Sequence, residues 1–181
     1  EGERKNMIVV FTGDGKGKTT ASLGQMVRVT GRGKSALMIQ FIKGPWESGE
    51  DRFAEKFSIF NSQFSIKKMG LGFVGILGDK LPKEDHIRAA HDALEFFKQE
   101  TAKNTWGLII LDEVNVAVSL GLITAGEVLE AVKDYPENKL LILSGRDAPQ
   151  EFIDRADLAT EMRELKHPYN NGKLAKLGVE F

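Results

Sequence analysis

The residues with the clearest chemical potential lie near the start of the chain, in the glycine-rich segment TGDGKGKTT at positions 12–20. An apolar run at 7–11 precedes it, and helix-compatible residues 21–29 follow it. Glycines in such a turn let backbone N–H groups converge on an anion, and a helix N-terminus adds partial positive charge. Lys18 can reach phosphate oxygens, and the Thr19 hydroxyl can contact a bound Mg²⁺. The segment therefore predicts a phosphate-binding P-loop.

The spacing of the glycines in this P-loop is unusual. The common pattern places a glycine five positions before the glycine of Gly-Lys-Ser/Thr, but here that position is Thr12, and Gly13 lies one place later. The alternative interpretation is a strand-to-helix turn that binds nothing. We favour phosphate binding, because Gly-Lys-Thr in a glycine-rich turn directly after an apolar strand rarely occurs by chance. We interpret the shift as an unusual form of phosphate binding.

Two acidic residues, Asp112 and Glu113, come directly after the apolar run 106–111. An apolar strand that ends in an acid is the Walker B arrangement, in which the acid holds Mg²⁺ directly or through water. The alternative is a helix-capping aspartate beside a solvated glutamate. Given the P-loop upstream, we expect Thr19, Glu113 and Asp112 to form a metal site.

Apolar runs alternate with helical patterns along the chain. They predict strands at 7–11, 34–42, 57–60, 64–68, 106–111, 139–143 and 158–162, an edge strand at 179–181, and helices at 21–29, 82–103, 116–120, 125–133 and 149–155. This alternation predicts an α/β fold, namely a P-loop (RecA-like) three-layer fold with a mostly parallel central sheet and helices on both faces. We expect a single nucleotide-binding domain over residues 1–181.

The composition limits the classes of function. With 25 basic and 26 acidic side chains the net charge is −1, which gives no reason to expect a nucleic-acid partner. The chain has no cysteine, which excludes disulfides, thiolate metal sites and cysteine nucleophiles. Acidic residues interrupt the most apolar region, 107–123, so we expect no membrane span. No signal peptide is predicted, and we expect a cytoplasmic protein.

Residues 69–78 form an unusual segment, which we call the glycine-rich loop, with four glycines among large apolar residues. We expect a mobile loop with an apolar tip; the alternative is a buried connection that needs glycine for tight turns. The helix predicted after it carries His86 and His91, which lie five positions apart and point to different sides. We do not expect these two histidines to bind a metal as a pair.

Several short motifs follow the P-loop in order. They are QFIKG at 40–44, Gly-Glu at 49–50, Gly-Phe at 72–73, LDE at 111–113, SGR at 144–146, Ala-Asp at 156–157, Thr-Glu at 160–161 and Lys-His at 166–167. Together with the shifted P-loop, they resemble the P-loop type of ATP:cob(I)alamin (corrinoid) adenosyltransferases, over about residues 7–181.

The resemblance implies unusual chemistry. In that family ATP lies in the P-loop in a reversed sense, and a corrinoid reduced to Co(I) attacks its 5′ carbon, so that triphosphate leaves and no phosphoryl group moves. The protein then needs no catalytic base. It positions ATP and the corrinoid and stabilises the charge on triphosphate through Lys16 and Lys18. The resemblance also implies Mg²⁺ or Mn²⁺, an electron-donating flavoprotein and a homodimer.

The resemblance assigns roles residue by residue. Phe73, on the glycine-rich loop, would face the corrinoid and help to keep the cobalt four-coordinate, although packing in the core explains this residue equally well. The expected nucleotide-binding residues are Thr12, Gly13, Asp14, Gly15, Lys16, Gly17, Lys18, Thr19, Thr20, Gln40, Lys43, Glu50 and Arg146.

Two positions depart from the family pattern. Two places after the phenylalanine the family often has tryptophan, where this chain has Gly75, and Asp51 stands where an arginine is common. The first departure concerns the surface that would face the corrinoid. It is compatible with a different corrinoid intermediate, with weaker activity, or with a relative that keeps ATP binding and has lost the reaction. The alternative function is an ATP-binding regulatory protein or a small-molecule phosphotransferase.

Overall fold

The computed structural model describes residues 6–58, 63–76, 78–167, 172, 176 and 178–179. The elements, in chain order, are β1 (Met7–Thr12), α1 (Lys18–Thr30), β2 (Ala36–Gln40), α2 (Gly49–Ser58), β3 (Phe64–Lys68), α3 (Lys83–Ala102), β4 (Leu108–Asp112), α4 (Val114–Ser119), α5 (Ala125–Val132), β5 (Leu140–Ser144), α6 (Gln150–Arg155) and β6 (Leu158–Glu161).

The six strands form one sheet in the order β3-β2-β4-β5-β1-β6, and every neighbouring pair is parallel. All five residues of β2 and of β4 are buried, because both faces of an interior parallel strand are covered. The carboxyl ends of β1, β2, β4 and β5 therefore meet at one edge of the sheet, where α/β folds of this kind bind ligands.

Helices cover both faces of the sheet, as predicted. Alternate strand residues such as Val10, Ile39 and Ile109 face a core built with α3, α4, α5 and α6. The intervening residues, such as Met38 and Ile110, face α1 and α2. The period-two alternation of side chains along each strand thus separates the interior into two layers. The predicted α/β three-layer fold is confirmed.

One predicted strand is wrong. Residues 57–58 belong to α2, and 59–60 lie outside the described residues. The apolar pattern there was compatible with a strand, but Ser48 starts a helix upstream of it: its backbone N–H and its hydroxyl both donate to Asp51, at 2.7 and 2.8 Å. This hydrogen bonding at the first turn favours helix over strand.

Apart from the edge strand predicted at 179–181, the remaining predicted elements are present with shifts of a few residues at their ends. At the carboxyl end, Val179 lies in a turn, and residues 180–181 of the predicted edge strand lie outside the described part of the chain. Among the helices described, none has the combination of length and apolar character that crossing a bilayer requires.

Two glycines in different surroundings give a test of the packing. A Cβ added at Gly24, inside α1, would meet no atom within 4 Å, whereas one at Gly70 would lie 2.3 Å from the backbone of Ile42. We expect Gly24→Ala to raise the free energy of unfolding by about 0.5–1 kcal/mol, because alanine favours the helix. We expect Gly70→Ala to lower it, because the backbones must separate. Urea unfolding of both variants measures the two changes, and equal signs would contradict this account.

Candidate active site

A cleft of about 930 Å³ opens at the carboxyl edge of the sheet. Its lining comes from the P-loop, from the segments after β2, β4 and β5, and from the chain beyond β6. The lining residues are Asp14, Gly15, Lys16, Gly17, Lys18, Thr19, Thr20, Leu23, Lys43, Gly49, Glu50, Glu113, Arg146, Glu164, His167, Gly178 and Val179.

The shifted glycine of the P-loop has a structural reason. Gly13 has φ +95°, and a Cβ there would lie 2.4 Å from the carbonyl oxygen of Met162. That carbonyl accepts the Gly15 N–H at 2.6 Å, and the Met162 N–H donates to Thr12 at 2.8 Å. The chain that leaves β6 therefore packs directly on the start of the P-loop. Only glycine fits at position 13, whereas Thr12 still belongs to the strand.

Lys18 lies inside the curve of the P-loop. Its Nζ donates to the carbonyl oxygens of Gly13 and Gly15, at 2.5 and 2.8 Å. Burial lowers the pKa of Lys18, and the positive charge of Arg146 acts in the same direction, while Glu113 opposes both. The P-loop thus places the Lys18 ammonium group beside the backbone N–H groups that favour binding of an anion, so both would attract a phosphate.

Asp112 is fully buried and accepts hydrogen bonds from three side chains. The hydroxyl of Thr19 donates at 3.1 Å, the Ser144 hydroxyl at 2.7 Å and the Gln40 amide at 3.1 Å. These donors come from α1, β5 and β2, so the carboxylate links three elements to the end of β4. Asp112 and Gln40 do not line the cleft. The structure places them behind it, where they fix the position of Thr19.

Glu113, the next residue, does line the cleft. Its backbone is left-handed with φ 62°, a conformation that turns the chain from β4 into α4. Burial raises the pKa of Glu113 to about 7, and the neighbouring Asp112 carboxylate adds to this, while the charges of Lys18, Arg146 and Lys43 oppose it. Glu113 is therefore a cleft carboxyl group that keeps its proton up to near-neutral pH.

This pKa predicts a pH-dependent stability. An unfolded chain releases the Glu113 proton near the ordinary pKa of 4.5, whereas the folded chain keeps it to about 7. The folded state binds more protons in that window, so this group makes the protein less stable as the pH rises. We expect Glu113→Gln to increase stability at pH 8 by on the order of 1–3 kcal/mol, and to have little effect at pH 5. Thermal unfolding with EDTA and without nucleotide measures this.

The exposed Glu95 of α3 provides the control, since Glu95→Gln removes an exposed carboxylate that pairs with the surface lysine Lys98. A Glu113→Gln variant with the same stability as the unchanged protein at pH 8 would contradict the raised pKa.

Two further charged groups lie at the cleft. Lys43 forms an ion pair with Glu50; burial alone would raise the pKa of Glu50, but the hydrogen bond from Lys43 helps to hold it below its ordinary value. Arg146 is exposed and follows Gly145, whose carbonyl accepts the buried Asn115 amide at 3.0 Å. The segment after β5 is thereby held where Arg146 lines the same cleft as Lys18, and its positive charge helps to lower the pKa of that lysine.

The glycine-rich loop carries an apolar tip, as predicted, and the alternative of a buried connection is wrong. Phe73 is 47% exposed, and its ring contacts that of Trp46, with centroids 5.9 Å apart. Neither ring lines the cleft. Asp79 holds the far end of the loop, because it accepts the Gly75 N–H at 2.8 Å and contacts the buried His86 ring at 3.0 Å.

The two histidines of α3 have separate partners. His86 contacts Asp79, and the exposed His91 contacts Glu127 at 3.1 Å. In the part of the chain that the structure describes, no group of three or more His, Cys, Asp or Glu side chains could hold a metal ion.

Most of the predicted nucleotide-binding residues line the cleft, but Thr12, Gly13 and Gln40 do not. The Thr12 hydroxyl instead accepts the Ala148 N–H at 3.1 Å. Sequence reasoning did not assign a site role to six residues that do line the cleft. The Gly-Glu motif at 49–50 and the Lys-His motif at 166–167 each contain one of them, and nothing in the local pattern pointed to the others. The six are Leu23, Gly49, Glu164, His167, Gly178 and Val179.

Comparison with known proteins places this cleft in a family. The model of the family described as "ATP:corrinoid adenosyltransferase BtuR/CobO/CobP" matches residues 4–181. The chain belongs to this family. As a corrinoid adenosyltransferase, it uses ATP and a corrinoid as its substrates.

Two curated relatives align with nearly the whole chain. The corrinoid adenosyltransferase of Escherichia coli is 31% identical over 179 residues, which is 99% of this chain and 87% of that protein. A corrinoid adenosyltransferase from Sinorhizobium sp is 34% identical over 180 residues, covering 99% and 82%. The crystal structure of the flagellar accessory protein FlaH from Methanocaldococcus jannaschii matches with a TM-score of 0.54 at 9% identity, covering 88% of this chain and 71% of that one. This last likeness concerns the fold alone.

Proposed function

We propose that this adenosyltransferase binds the triphosphate of ATP in the P-loop and transfers the 5′-deoxyadenosyl group to the Co(I) of a reduced corrinoid, cobalamin or a precursor. The observation that carries the proposal is Lys18, held inside a P-loop at a cleft that also contains Lys16 and Arg146. Three positive charges around one anion site suit a leaving group that gains negative charge.

The transfer is a displacement at carbon. The electron pair of Co(I) forms a bond to the 5′ carbon, and the bond from that carbon to the triphosphate oxygen breaks, so the triphosphate leaves with the electron pair. No proton moves in this step, so the reaction needs no catalytic base. Lys16 and Lys18 would act by position and charge, because both line the cleft in which the departing triphosphate would lie.

Mg²⁺ fits the residues at the cleft. Magnesium in nucleotide sites usually keeps several waters and takes one or two protein ligands besides the phosphates. The Thr19 hydroxyl donates a hydrogen bond to Asp112, which leaves a lone pair of the Thr19 oxygen free to bind a metal ion. Glu113 lies at the cleft and supplies a carboxylate once it is ionised. We assign Thr19 and Glu113 as ligands and Asp112 as the residue that orients Thr19. When bound, the ion would neutralise charge on the triphosphate.

The exposed Phe73 faces the corrinoid in this proposal. An apolar surface over one face of the ring keeps water and other axial ligands away from the cobalt, which makes Co(II) easier to reduce. The proposal extends to a homodimer, to a flavoprotein as the electron donor, to a single domain over residues 1–181 and to a cytoplasmic location, all of which follow from the sequence reasoning and the family resemblance.

The reaction is tested with ATP, Mg²⁺ and chemically reduced cobalamin. We expect the light-sensitive spectrum of adenosylcobalamin to appear together with inorganic triphosphate in equal amounts. Formation of ADP and phosphate in place of triphosphate would instead identify a phosphotransferase. Binding of ATP without any corrinoid product would indicate a regulatory nucleotide-binding protein.

Lys18→Ala is expected to weaken ATP binding by about 100-fold, because hydrogen bonds to a charged phosphate are among the strongest in proteins. Isothermal titration with ATP and Mg²⁺ measures the affinity. Lys98→Ala, which removes a surface lysine of α3 that pairs with Glu95, is the control and should bind ATP normally. Unchanged affinity in Lys18→Ala would refute the assigned P-loop role.

A further inference from the structure

Two aromatic rings stand exposed next to each other at the ligand-binding edge of the sheet. Trp46 is 63% exposed and Phe73 is 47% exposed. Their centroids lie 5.9 Å apart, and their planes are inclined by 35°. We call these two side chains the aromatic pair. Contiguous exposed apolar surface rimmed by polar residues is a feature of ligand-binding and interaction sites.

The backbone under the aromatic pair is shaped to hold the indole in place. Gly72 has φ +108°, and a Cβ there would lie 2.8 Å from the Trp46 ring. A Cβ at Gly44 would lie 2.9 Å from the Cα of Gly72. The two loops that carry the rings therefore touch backbone to backbone, and the indole lies against a residue without a side chain. Glycine is needed at position 72 for this contact and for its positive φ.

Hydrogen bonds fix both loops, in contrast to the mobile glycine-rich loop expected from the sequence. Lys68 of β3 donates to the Trp46 carbonyl at 2.5 Å, and the Gly72 N–H donates to Ile42 at 2.9 Å. Asp79 holds the other end of the glycine-rich loop through the Gly75 N–H. The aromatic pair is thus presented to solvent by a fixed backbone, which reduces the ordering cost of binding a ligand on it.

The aromatic pair lies beside the nucleotide cleft. Lys43 and Glu50, which flank Trp46 on the same segment, both line that cleft. The segment after β2 therefore contributes charged groups to the cleft and an aromatic ring to the neighbouring surface. A ligand on the aromatic pair would lie next to a ligand in the cleft.

Gly75 cannot supply the second aromatic ring that the family resemblance places at that position. It has φ +68°, and a Cβ there would contact nothing within 4 Å. Its N–H is used to bind Asp79. A single Phe73 ring covers only part of a macrocycle as wide as a corrin. The other large ring that contacts Phe73 in the described structure is Trp46.

We propose that Trp46 is a corrinoid-facing residue, which together with Phe73 covers the face of the corrin ring away from ATP and so takes the place of the tryptophan missing at Gly75. The inference rests on the proposed function, since it needs a corrinoid beside the cleft. A corrin has broad, weakly polar faces, and aromatic side chains bind such faces by dispersion and by excluding water. Exclusion of axial ligands by both rings favours the four-coordinate Co(II) state.

The test uses the full chain with saturating ATP and Mg²⁺, and Co(II) cobalamin as the probe. Electron paramagnetic resonance and visible spectra report whether the cobalt loses its axial ligand. We expect Trp46→Ala to lose the four-coordinate signal and to slow adenosylation under a mild reductant by about tenfold or more, while its ATP affinity stays within about twofold. With cobalamin already reduced to Co(I), we expect Trp46→Ala to form adenosylcobalamin only about threefold more slowly than the unchanged protein.

Two further variants provide controls. Trp46→Phe keeps an aromatic ring and should recover much of the signal. Leu158→Ala changes a residue of similar exposure, 45%, on β6 at the opposite edge of the sheet, and should behave as the unchanged protein. A Trp46→Ala protein with the full four-coordinate signal and rate would overturn the proposal. The proposal would also be overturned if Trp46→Ala lost ATP affinity as strongly as it lost the cobalt signal, because that result would make Trp46 a structural residue.

Failure of this inference is distinguishable from failure of the proposed function. If the unchanged protein forms no adenosylcobalamin at all, the proposed reaction is wrong. Equilibrium dialysis with Co(II) cobalamin then still tests Trp46, since the inference requires that Trp46→Ala weakens corrinoid binding by about tenfold. Equal binding by both proteins would refute it independently of any turnover.

Discussion

The buried carboxylate of Asp112 is the interaction on which the geometry of the site depends. It accepts hydrogen bonds from Thr19, Ser144 and Gln40, so that the ends of β2, β4 and β5 and the first turn of α1 share one acceptor. An unpaired carboxylate is costly to bury, and a paired one stabilises only the arrangement that satisfies it. The position of the Thr19 hydroxyl is therefore set from beneath, by a residue that does not itself face the cleft.

The cleft next to Asp112 is charged, whereas the neighbouring surface formed by the aromatic pair is apolar. Lys16, Lys18 and Arg146 bring positive charge to the cleft, and Glu113 brings a carboxyl group whose proton leaves near neutral pH. The aromatic pair next to it is apolar and fixed. In the proposed function, a charged nucleotide and a flat, weakly polar macrocycle would meet two surfaces of matching character on adjacent loops, and the segment between β2 and α2 contributes to both.

The sequence predicted the elements whose signal is local. The apolar runs of β1, β4 and β5 and the long periodic helix α3 are read directly from residue spacing, as are the P-loop and the acids after β4. The prediction failed at residues 57–58, where hydrogen bonds from Ser48 to Asp51 start a helix that the apolar pattern does not show. The hydrogen bonds at the first turn of α2 are the reason why this segment is helical.

Contacts between distant parts of the chain were beyond the reach of the sequence. Gln40 belongs to a recognisable motif, yet only the fold shows that it binds Asp112 rather than the cleft. The shifted Gly13 was interpreted as a sign of unusual phosphate binding, and the structure supplies a simpler cause in the Met162 carbonyl beside it. The partnership of Trp46 with Phe73 depends on two loops that meet only because β2 and β3 are neighbours.

The position of Lys18 has a consequence for how strongly a nucleotide is held. Its ammonium group donates to two carbonyl oxygens of the loop that encloses it. A phosphate that binds there exchanges acceptors instead of adding new ones, at the cost of two hydrogen bonds of about 1 kcal/mol each. This exchange would lower the net affinity for the phosphate. If inorganic triphosphate is the product, as proposed, a moderate affinity would help the enzyme to release it after each turnover.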